Sequence, residues 1–198
     1  GSASFVGTDA TTQGNWTSAY GADGYEVLGG QTALPSYATV TPSGAATYAW
    51  APTTSDARAL LQGPSSTTSQ RVAACWYSSG GFGLDARIGD GATHQVSLYA
   101  LDWDYSLGGR SERVDVIDDA TGAVLDSRTL SSFGGGVYAT WQIGGSVTFR
   151  VTNIGSPSNN AVVGALFFGG KPAGTNPPPP SGSASFVGTD ATTQGNWT

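Results

Sequence analysis

Little in this chain can do acid–base, thiol or phosphate chemistry. Its 198 residues hold one cysteine, one histidine and no methionine, and the only lysine is Lys171 and the only glutamates Glu26 and Glu112. A lone cysteine cannot close an internal disulfide. Cys75 lies in the apolar stretch 71–77 and reads as a small core residue, because a reactive thiolate needs an electropositive, partly exposed setting. The single histidine, His94, has no partner at a recognisable spacing. Methionine is missing even at position 1, so the chain reads as a processed or excised piece of a longer product.

Charge is scarce as well. Charged residues make up 11% of the chain, against about 25% in ordinary soluble domains. The net charge is −6 and the pI about 4.4, which leaves no basic footprint for a phosphate backbone and excludes nucleic acid as the expected partner. No apolar run approaches the roughly 20 residues that a membrane helix requires, and no charged-then-apolar signal precedes the fold. Membrane insertion is not expected.

Catalytic motifs are missing too. The chain has no Gly-x-Ser-x-Gly elbow, no His-Glu-x-x-His and no phosphate-cradling Gly-Lys-Ser/Thr. Asp102 and Asp104 are paired carboxylates expected on one face of a strand, because side chains alternate. Glycoside hydrolysis needs two carboxyls facing each other across a cleft, which neighbours on one strand rarely supply. An enzyme is not expected. Calcium is the one metal the composition suggests, with Asp102 and Asp104 the candidate ligands among the aspartates. No Asp-x-Asp-x-Asp-Gly loop supports it, and solvated strand-end acids explain the pattern better. No cofactor is otherwise implied.

Glycine, by contrast, is abundant, at 30 residues. Short alternating or apolar runs bounded by Gly, Pro, Ser and Asn recur without any helical period, which is the pattern of an all-β sandwich or barrel. Strands are expected over 4–7, 24–28, 36–41, 46–50, 71–77, 82–88, 95–103, 113–118, 124–129, 137–143, 147–153 and 161–168. About a dozen strands fit a two-sheet, jelly-roll-like β-sandwich, with a barrel as the alternative. The turn chemistry of 118–123 predicts a hairpin. Residues 55–61 suit one helical turn capped by Ser55.

The ends repeat. Residues 1–17 and 182–198 both read GSASFVGTDATTQGNWT, an identity that chance does not produce. Before the second copy lies KPAGTNPPPPS, 171–181, whose prolines favour a stiff extended spacer. The organisation is therefore a β-sandwich module at 1–170, a Pro-rich linker at 171–181 and the start of the next identical repeat at 182–198. An appended strand, or a cut falling just inside the next period, is the alternative. If the opening strand of one period completes the sheet of its neighbour, Ser4, Phe5 and Val6 and their copies Ser185, Phe186, Val187 and Trp197 form the inter-repeat contact.

Aromatic side chains suggest a second use. Trp76 and Trp141 look like core. Trp103 and Tyr105, at an expected strand end, are better placed to stack against a sugar ring, with Trp16 and Tyr20 as second choices. Asn15-Trp16-Thr17 is also a glycosylation sequon.

Several runs resemble a β-sandwich accessory module of secreted bacterial multidomain proteins: VGTDATTQGNW at 6–16, YGADGY at 20–25, LPSYATV at 34–40, YALDWD at 99–104, RVDVID at 113–118 and GALFFGG at 164–170. The resemblance spans nearly all of 5–170. It implies an extracellular or cell-surface location, a bacterial origin and a build similar to carbohydrate-binding modules; it carries no binding residues of its own. Two functions follow. The first is a non-catalytic tandem-repeat unit of a stalk, adhesin arm or filament, with neighbouring copies of itself, head to tail, as partners. The second is a carbohydrate-binding module whose partner is a polysaccharide.

Overall fold

The computed structural model describes residues 1–105 and 109–170. The linker 171–181 and the second copy 182–198, with Ser185, Phe186, Val187 and Trp197, lie outside the described residues. Within them the chain is an all-β sandwich. Its fifteen strands are β1 (Ser2–Asp9), β2 (Gly24–Val27), β3 (Thr32–Ala33), β4 (Ala38–Ser43), β5 (Ala46–Thr54), β6 (Leu60–Leu61), β7 (Arg71–Ser78), β8 (Gly81–Ile88), β9 (Thr93–Ala100), β10 (Ser111–Asp118), β11 (Val124–Ser131), β12 (Val137–Gly144), β13 (Ser146–Asn153), β14 (Ala161–Val163) and β15 (Ala165–Phe168). One 3-10 turn, Trp16–Ser18, accompanies them.

Two antiparallel sheets make the sandwich. One has the order β1-β12-β9-β15-β2-β3 and the other β11-β10-β13-β8-β4. Alternation in β13 buries Val147, Phe149 and Val151 completely while Arg150 stays exposed, as a strand with one wet face demands. From the six-stranded sheet Val96, Leu98, Trp141, Ile143, Leu166 and Phe168 join the same core. Each such side chain, fully buried, stabilises the fold by about 1.5–3 kcal/mol before entropy is charged.

The reverse face of the six-stranded sheet is covered too. On β12 the alternate residues Tyr138 and Thr140, which the pattern would assign to solvent, are buried. They pack beneath the segment around Trp16 and Tyr20, in a second apolar cluster with Tyr25, Leu60, Tyr99 and Phe167. Pattern alone misses this covering, because the segment that supplies it has no strand of its own.

A third, four-stranded arrangement adds β14-β7-β5 with β6 on β7. The expected strand over 161–168 is broken at Gly164, whose N–H binds Tyr99 O and whose carbonyl accepts from Leu28 N–H. The break lets β14 pair with β7 and β15 with β9 and β2. The helical turn expected over 55–61 does not form. Asp56, not Ser55, accepts the N–H of Arg58 at 2.9 Å, and the resulting tight turn sends Leu60 and Leu61 into pairing with β7. The 118–123 hairpin is present, with Thr121 Oγ1 donating to Asp118 at 2.6 Å and Gly122 at φ 72°.

Candidate functional site

The third sheet carries a cleft. Register opposes Tyr48 to Cys75, and Val162 to Tyr77, so these four side chains share one face. Trp50 is the extra residue of a β-bulge between the Ala49–Ala74 and Ala51–Ala73 pairs. Two residues from Tyr48 along the strand, its indole lies on the same side as Tyr48 and borders the same cleft. Together with Asp104, Arg110 and Asn160 they line a cleft of about 320 Å3, at the lower end of the range for small-ligand sites.

The aromatic rings stand edge to face. Tyr48 lies 6.0 Å from Trp50 and 6.5 Å from Tyr77, each at 84°. Tyr48 is 55% exposed, whereas Trp50 and Tyr77 are half-buried. Such rings offer apolar faces to a ligand while being held by their own quadrupole contacts.

Arg110 forms the polar wall. Its guanidinium is buried, lies 5.5 Å over the Trp50 ring, and binds both Asp102 and Asp104. Asp102 is fully buried and also accepts the Arg110 N–H at 2.8 Å. Asp104 opens to the cleft, and the Arg110 guanidinium, helped by a hydrogen bond from the Trp50 side chain, lowers its pKa below the ordinary carboxylate range. Behind the wall, Glu112 Oε2 accepts the Val162 N–H at 2.8 Å. Complete burial pushes the Glu112 carboxyl up to about 8. Oε1 is buried without a hydrogen-bond partner. Burial likewise pushes the Cys75 thiol up to about 12, which leaves it an apolar floor rather than a nucleophile.

The residues expected to bind ligand are placed as follows. Trp16 is buried, 2% exposed, with its indole N–H on Leu61 O at 2.8 Å; it is a core residue and cannot stack on a sugar. Tyr20 is buried against Tyr138 with ring centroids 4.1 Å apart, and it too drops out. Trp103 lies beyond the end of β9, because that strand stops at Ala100, and the Arg58 guanidinium covers one of its ring faces at 4.6 Å. Tyr105 is exposed, at φ 46°, but lines no part of the cleft. Asp102 and Asp104 do come together, off the end of the strand rather than along it. Arg110 occupies the space between them that a calcium ion would take.

Phe5 of β1 packs on Trp141 at 5.4 Å and lies under the Arg128 guanidinium at 4.0 Å, while Val6 points outward and Ser4 is exposed. These three residues thus sit on their own module's sheet. Tyr48, Trp50 and Tyr77 were not foreseen, although Tyr48 and Trp50 two apart in an otherwise small-residue strand were the available signal. Comparison with known proteins finds no matching family model, no matching curated protein and no matching solved structure.

Proposed function

We propose that this chain is a non-catalytic, extracellular carbohydrate-binding module. The observation that carries the reading is the cleft of Tyr48, Trp50 and Tyr77 with Asp104, Arg110 and Asn160 on its rim. A pyranose has C–H faces that suit the negative faces of aromatic rings, and a rim of hydroxyls that suit a carboxylate, an amide and a guanidinium. Among the described residues only one carboxylate, Asp104, lines this cleft, and it is ion-paired with Arg110. Binding without cleavage is therefore the chemistry the arrangement favours. The test is retardation in affinity gels across a panel of neutral polysaccharides. The parent chain is expected to be held back by at least one, and Trp50→Ala to run freely. A parent that migrates unretarded through all of them overturns the reading.

A second reading accompanies the first: the module is one bead of a head-to-tail array forming a stalk, adhesin arm or filament. The identical 17-residue ends and the Pro-rich spacer between them favour it. If the period recurs in the encoding gene, the array stands; a single period there removes it.

A further inference from the structure

The duplicated sequence meets a specific geometry in the fold. Among the described residues β1 is the last strand of its sheet and pairs with β12 alone, over seven residue pairs from Ser2–Gly144 to Asp9–Tyr138. The residues that follow are bound as closely as the strand. Asp9 accepts from Thr11, Thr12 and Tyr20, Gly14 N–H binds Ala57 O, and Trp16 fills the cluster between Tyr25 and Phe167 at 4.7 and 5.0 Å. The whole of 1–17 therefore occupies a berth shaped to its sequence, and 182–198 has that same sequence.

The exit of the chain from the fold points at the berth. Phe168 pairs with Val96, Val96 with Trp141, and Trp141 with Phe5. β15 runs antiparallel to β1, so the chain leaves β15 level with the start of β1. Three inter-strand steps separate them, about 14 Å at roughly 4.8 Å each. The linker 171–181, extended at about 3.1 Å per residue, reaches roughly 34 Å. That length exceeds the gap, so eleven residues suffice to bring a second copy to the start of β1 once the non-proline part of the linker bends.

We propose that residues 182–198 of the same chain can take the berth of residues 1–17, so that the edge of this sheet is an exchange site with two identical claimants. Replacement exchanges one ladder, the β1–β12 pairing, together with the contacts of residues 9–17, and an identical sequence can remake each of them. The short tether gives the second copy an effective concentration on the order of millimolar, which favours the same chain over a second molecule. The inference uses the duplication and the berth, and it holds whether or not the module binds glycan or recurs in an array.

The test is made in the full chain. Trp16→Ala is expected to melt within about 2 °C of the parent, because Trp197 enters in its place, and to remain monomeric at all concentrations in gel filtration. Trp16→Ala combined with Trp197→Ala is expected to melt on the order of 10 °C lower. A second pair removes the strand itself: residues 18–198 are expected to melt like the parent, and residues 18–181 far lower. Equal melting within either pair overturns the proposal. A concentration-dependent dimer of Trp16→Ala overturns it as well, since the incoming copy would then belong to another molecule.

Discussion

Two groups of aromatic residues in this molecule have similar composition and opposite fates. Around Trp16, four polar tips are committed inside the fold: the Trp16 indole to Leu61 O, Tyr99 to Arg58 O at 2.6 Å, Tyr138 to Gln13 O and Tyr20 to Asp9. Around Tyr48, the rings are held edge to face by one another and turn toward solvent. The difference lies in the layer each group faces. The first lies beneath a covering segment that crosses the six-stranded sheet; the second lies on a flanking sheet whose outer strand, β5, has no neighbour but β7 among the described residues. Aromatic content by itself therefore does not separate a core from a binding surface. What separates them is whether something else in the chain has come to rest on top.

The sharpest way to break this comparison is to truncate one ring from each group. Phe167→Ala removes a fully buried ring that touches Trp16, Tyr20 and Tyr138, and it should cost about 3–5 kcal/mol in urea unfolding. If it costs no more than Tyr48→Ala, the two groups are not distinct. Arg110→Met comes next, because it strands the buried Asp102 carboxylate; a loss of about 3–5 kcal/mol is expected, and the double variant Arg110→Met/Asp102→Leu should recover much of it.

Glu112 tests the wall behind the cleft through pH. Its carboxyl is raised to about 8 in the fold, above an unfolded value near 4.3. The folded state thus binds the extra proton, and the stability tied to it is complete below about pH 4.3 and lost as pH rises through about 8. Glu112→Gln should remove a decline of a few kcal/mol over that window. Parallel profiles for the parent and Glu112→Gln would show that this carboxyl does not stay protonated in the fold. The smallest stability effect belongs to Tyr48→Ala, expected within about 1 kcal/mol of the parent, while polysaccharide affinity falls about tenfold or more by gel retardation.

Much of the sandwich was legible in the sequence because its signal is local. Val147, Phe149 and Val151 alternate with polar neighbours, and the Asp118–Gly122 turn advertises its own hairpin. Trp76 and Trp141 were readable as core for the same reason. What was not legible depends on contacts distant along the chain. Nothing near Trp16 announces that it will lie on Phe167, 151 positions later. The loop holding Asp104 was recognisable as a site of interest, yet the side chains that complete the cleft come from β5, β7 and β14, and register alone brings them there. The bulge at Trp50 has no sequence mark, since the alanines on either side of it would suit an unbroken strand equally well.

The break at Gly164 has a mechanical meaning. One side of it borders the cleft through β14, and the other runs into β15, a strand clasped on both flanks by β9 and β2. Tension along the chain at this break would load β15 lengthwise, so its hydrogen bonds to β9 and β2 would be sheared together instead of unzipped one by one.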